Sequence, residues 1–151
     1  MEVPLHFKFW HILLYKPFLA ALLAQQSAQL FKVLSPLFQR RAPDPRRYFD
    51  YGGLPSAHTA FVVGITVSIG VETGWHSPMA ALAVVVASIV IYDTVKLRKA
   101  VEVNLVMTKE LYGNTGLPVA CGLPQFKSHS VGEIIAGAAW GALCAIAVGF
   151  L

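Results

Sequence analysis

Apolar residues along the chain gather into four segments, separated by stretches rich in charge, glycine or proline. The first covers residues 17–31, PFLAALLAQQSAQLF; the second runs from about Thr59 to Val71, the third from Pro78 to about Val95, and the fourth from about Val131 to Leu151. Only the fourth reaches the roughly 20 residues that cross a bilayer unaided, so the others must carry polar turns into the membrane boundary. The pattern predicts an all-α integral membrane bundle of about four transmembrane helices, a single domain over residues 1–151. An amino-terminal interfacial stretch holding Phe7, Phe9, Trp10, His11 and Tyr15 precedes it, aromatics suited to the headgroup layer. No small-residue cleavage pattern follows, so this stretch is read as part of the mature chain. RRAPDPRR and the span from about Val103 to Phe126 read as loops, the latter with a short helix around Val106 to Tyr112.

The tight link ETGWHS makes the second and third segments an antiparallel hairpin, which fixes the sidedness of the rest. If all four segments span, one face holds Lys32, Arg40, Arg41, Arg46, Arg47, Lys96, Arg98, Lys99, Lys109 and Lys127, ten of the twelve Lys and Arg residues. The positive-inside tendency makes that face cytoplasmic. Basic residues recruited to an anion would give the same asymmetry.

Composition agrees with the membrane reading. Hydrophobic residues make up 56% of the chain and charged residues 13%, against roughly 25% charged in soluble domains. Cys121 and Cys144 have no metal-ligand spacing, and Cys144 reads as a small hydrophobe. Neither a metal nor a cofactor is expected, and no nucleic-acid partner. Gly137, Gly141 and Ala145 recur every fourth residue, a small-residue ridge for close helix packing and a candidate surface for homo-oligomerisation through the fourth segment.

Polar residues near the segment ends then need a reason. An ionisable group at the bilayer centre costs about 2.5–3.5 kcal/mol, so several unpaired ones would match a whole domain's stability. They must therefore lie at the interface or converge on a polar cavity. His129 and Glu133 are four residues apart, so on a helix the carboxylate can hold one imidazole nitrogen and leave the other free to attack. Ser130 to Glu133 is equally an S-x-x-E capping box. In GGLPSAHTA, Gly52 and Gly53 permit close backbone approach, Pro55 suits a turn, and Ser56 is either a helix cap or a phosphate ligand. A helix amino terminus is also an anion site, and His58 one turn into it could protonate a leaving oxygen. Lys32, Arg98 and Lys99 add positive charge, and Asp93 could orient Lys32 or Arg98. Together these groups describe a metal-free phosphoryl-transfer site; separately, each cation is also a headgroup-binding or snorkelling residue.

The order of GGLPSAHTA, IYDTVKLRKA and KSHSVGEIIAG, with Lys32 in AQLFKVL, resembles the small divergent bacterial and plastid branch of the type 2 phosphatidic acid phosphatase and vanadium haloperoxidase superfamily, over about residues 17–150. The resemblance implies that His129 attacks phosphorus to form a phosphohistidine, Glu133 orients it in place of the usual aspartate, and His58 protonates the leaving alkoxide. Ser56 and nearby amides, Gly53 among them, would hold the phosphate, with Lys32, Arg98, Lys99 and Lys127 supplying charge. The chain departs from the superfamily where Gln39 stands seven residues after Lys32, where Leu123 stands six before His129, and where Lys96 and Lys99 replace a glycine and an arginine. The implied function is a membrane-embedded, metal-independent lipid phosphate phosphatase acting on a phosphomonoester of the phosphatidylglycerophosphate or phosphatidate class. An isoprenoid pyrophosphate substrate and a non-catalytic anionic-lipid-binding role are the alternatives.

Overall fold

A computed structural model describes residues 15–49, 53–115 and 129–151, all helix and connecting loop, with no strand among them. Helix α1 (Lys16–Leu34) and helix α2 (Ala57–Thr73) are joined through 3-10 turns at Ser35–Gln39 and Pro45–Tyr48. Helix α3 (Pro78–Tyr92) continues through a π-helical turn, Asp93–Leu97, into helix α4 (Arg98–Thr115), and helix α5 (Val131–Gly149) closes the order. The interfacial stretch Phe7 to His11, Gly52, Cys121 and Lys127 lie outside the described residues.

Helices α1, α2 and α5 pack on one another, and α3 lies against α2 as the antiparallel hairpin that the ETGWHS link predicts. Small residues allow the close fit: Ala20, Ala21, Ala24 and Ala28 of α1 are fully buried, as are Ala57 and Ala60 of α2 to within 1%. The ridge of Gly137, Gly141 and Ala145 is buried too, and it faces α2 within the chain. A Cβ on Gly137 would stand 2.5 Å from the Ser56 carbonyl oxygen, and one on Gly141 would collide with the Ala60 carbonyl. Trp140 adds a polar tie from α5 to α1, its indole N–H donating to Ser27 Oγ at 2.8 Å. Thr66 does the same between α2 and α3, through the Ala83 carbonyl at 3.2 Å.

Two helices are long and apolar enough to cross a membrane, Val131–Gly149 and the continuous rod Pro78–Gly113. The rod corrects the expected loop after Val103, and the short helix expected around Val106 to Tyr112 lies within it. Its 36 residues extend about 54 Å at 1.5 Å per residue, well beyond a hydrocarbon core of about 30 Å. The polar half, α4, contacts the π turn and stands clear of the bundle. The arginine-rich loop instead folds back on α1: the Tyr48 hydroxyl bonds Gln26, and Asp44 caps the second 3-10 turn through the Arg46 amide.

Candidate functional site

The carboxyl end of α1, the amino ends of α2 and α5 and the π turn supply the site residues. Ser130 is the N-cap of α5 and accepts from the Glu133 amide, while Glu133 returns a carboxylate oxygen to the Ser130 amide, a complete capping box. That same oxygen, Oε2, lies 2.7 Å from His129 Nδ1. The cap and the histidine–carboxylate pair therefore coexist, because one carboxylate oxygen has lone pairs for both donors. With Nδ1 donating to Glu133, Nε2 keeps its lone pair. The His129 side chain is 1% exposed and Glu133's is 15% exposed. Burial pushes the imidazole below its ordinary value, Lys32 and Arg98 act in the same direction, and Glu133 opposes them.

The two motifs meet through the backbone, the Ser56 amide donating to the Glu133 carbonyl oxygen at 3.0 Å. Ser56 itself is fully buried and caps α2, its Oγ accepting from the Thr59 amide at 3.4 Å and the Thr59 hydroxyl at 3.0 Å. Of its two expected roles the structure displays the cap. The first amides of α2, at Ala57 and His58, have no acceptor within the helix. His58 is half-buried there, and the charges acting on it are those of Arg98, His129, Lys32 and Asp93.

Lys32 is 6% exposed, and Gly53 lies beside its stem at φ 90°, where a Cβ would make ordinary contact with Lys32 Cδ at 3.7 Å. The π turn positions the last cation. In an α-helix five residues subtend about 140°, placing Asp93 and Arg98 on different faces. Here the Arg98 amide bonds to the Asp93 carbonyl, five residues back, a wider turn that narrows the angle between the two. Arg98 Nη1 is buried without a hydrogen-bond partner among the described residues. An unmet buried donor of this kind costs about 1–3 kcal/mol, and an anion would satisfy it. Lys99, by contrast, is exposed, and Lys127 lies outside the described residues.

The structure thus gathers His129, Glu133, His58, Lys32, Arg98 and Asp93, with Gly53 and the α2 amino terminus beside them, and leaves Lys99 apart. Sequence reasoning missed the π turn, which has no period or punctuation of its own in IYDTVKLRKA. The chain is a member of the Divergent PAP2 family, whose family model matches residues 14–144. Over 83 residues it is 30% identical to a protein of Bacillus subtilis (strain 168) described as the uncharacterized membrane protein YuiD, covering 55% of this chain and 52% of that one. The match therefore spans about half the length of that relative. No solved structure matches the chain.

Proposed function

We propose that the protein is a membrane-embedded lipid phosphate phosphatase that works through a phosphohistidine. The observation that carries the reading is the buried His129–Glu133 pair at 2.7 Å, hydrogen-bonded through the backbone to the helix start that bears His58. His129 Nε2 attacks phosphorus, the P–O bond to the alcohol breaks, and the departing alkoxide takes a proton from His58. Water then attacks phosphorus in the second step, returning a proton to His58 and releasing inorganic phosphate from His129. Lys32, Arg98 and the free amides of α2 stabilise charge on the transferring group, where fixed donors are worth most. Glu133 holds the imidazole tautomer, Asp93 aligns the cations, and Gly53 keeps Lys32 in place.

Helices α1, α2, α3 and α5 span the bilayer in this reading, with the site at the cytoplasmic face where Arg40, Arg41, Arg46 and Arg47 also lie. A substrate whose tails stay in the bilayer then presents its phosphomonoester to the cations, as phosphatidylglycerophosphate or phosphatidate would. The test is phosphate release by purified protein from a panel of lipid phosphates, with chelator present. Release that disappears in His129→Ala and His58→Ala supports the reading; release that requires a divalent metal, or that survives both substitutions, overturns it.

A further inference from the structure

The loop between α1 and α2 carries RRAPDPRR, residues 40–47, with four arginines and one acid. Arg40, Arg41, Arg46 and Arg47 are all exposed, and none forms an ion pair among the described residues. The one acid, Asp44, is engaged as a cap, its carboxylate accepting from the Arg46 amide at 3.1 Å. Arg40 closes the first 3-10 turn at φ 56°, a conformation that glycine adopts freely, and the chain keeps a cation there. Large apolar side chains flank the cations. Phe38 and Phe49 are each 81% exposed, and Leu37 is 53% exposed.

The loop is fixed at two levels along α1. The Asp44 amide, between the two arginine pairs, donates to the Val33 carbonyl at 3.2 Å, level with the end of the helix. The Tyr48 hydroxyl reaches back to Gln26, two helical turns before Leu34, and the Phe49 ring lies 5.1 Å from the Tyr48 ring. The cations are therefore held beside the end of α1, while the aromatic pair lies alongside its last turns. Around a helix that spans a bilayer this layering matches the lipid boundary, with phosphates at the level of the cations and aromatics one level deeper. We propose that the loop is a docking surface for the head groups of anionic phospholipids in the leaflet around α1, separate from the site of phosphate release. A nucleic acid or an acidic peptide would answer the charge but leave Phe38 and Phe49 in water. That the surface lies within a leaflet rests on the spanning topology proposed above; the preference for anionic head groups does not.

The test reconstitutes the full-length protein in phosphatidylcholine bilayers with a trace of spin-labelled phosphatidylglycerol or spin-labelled phosphatidylcholine. The motionally restricted fraction of each is compared by electron paramagnetic resonance. Phosphatidylglycerol should associate about fivefold more strongly, the factor that one cation near an anionic head group supplies. Raised salt should shrink that preference, since the guanidiniums are exposed. Arg40→Gln with Arg41→Gln, and Arg46→Gln with Arg47→Gln, should each bring it toward parity. The loop is tied by backbone bonds and Tyr48, so these variants keep its place. Lys96→Gln with Lys109→Gln removes two exposed charges outside the loop and should leave the preference standing. It should also persist in His129→Ala, so a failure of the phosphatase reading is told apart from a failure here. Equal association of the two lipids, a preference unchanged in both arginine variants, or a loss as large in the lysine variant would overturn the proposal.

Discussion

The Ser56 amide donates to the Glu133 carbonyl oxygen at 3.0 Å, and the Ser56 carbonyl oxygen in turn lies against Gly137, one turn further along α5. This contact joins two helix starts that are far apart in sequence. Because His58 follows Ser56 closely and His129 precedes Glu133 by one turn, this backbone bond ties the helix start of one histidine to that of the other. Nothing about it depends on the Ser56 side chain, which is occupied in capping α2.

Gly137→Ala should test that contact. The added Cβ meets carbonyl oxygen and backbone-proximal atoms of α2, not the end of a flexible chain, so α5 must move. A loss of about 1–3 kcal/mol is expected, read as a lower Tm with phosphate release falling alongside it. Gly113→Ala, where a Cβ would meet nothing within 4 Å, should leave both unchanged or raise Tm slightly.

The nucleophile and its carboxylate separate by substitution. His129→Ala should abolish release and leave no acid-labile labelled phosphoenzyme from a radiolabelled lipid phosphate. Glu133→Gln retains a side chain competent in the capping box, so Tm should hold while kcat falls about 100-fold. A kcat drop matched by a collapse in Tm would instead mean that Glu133 serves α5 alone.

Arg98→Met should move activity and stability in opposite directions. The substitution removes a buried donor that has no partner, so Tm should stay level or rise. Affinity for the anionic substrate should weaken, seen as a raised KM. Parallel losses of Tm and kcat/KM would show that the guanidinium is structural.

The acid limb of the pH profile should report His129. Attack requires the neutral imidazole, so activity is present above its pKa and lost as pH falls through it. Burial holds that pKa below the ordinary value of about 6.5, so release should persist at pH values where a free imidazole is mostly charged. Glu133 opposes the shift, and Glu133→Gln should therefore move the limb further toward acid. Because the substrate's own ionisation is common to both proteins, the difference between their profiles isolates the histidine. A limb that moves toward neutral pH in the variant contradicts this assignment.

The amino-acid sequence by itself determined the helical class, the hairpin of α2 and α3 and the family, and it offered Ser56 and Ser130 as helix caps beside their other roles. These are local properties: apolar runs, turn residues and a cap followed three residues later by glutamate act within one or two helical turns. The sequence also brought His129 and Glu133 to one face, since four residues nearly complete a turn. It could not say that one carboxylate oxygen would serve both the cap and the imidazole, or that Gly137 and Gly141 face α2 in the same chain. It offered a loop with one short helix where the rod Pro78–Gly113 runs on, because α4 is too polar to be read as an apolar segment. The π turn between Asp93 and Arg98 depends on a shifted hydrogen-bond register, which packing selects and composition does not encode. Lys99 and Arg98 are neighbours of the same charge, and only the tertiary structure decided that Arg98 is half-buried, with Nη1 left without a partner among the described residues, while Lys99 is exposed.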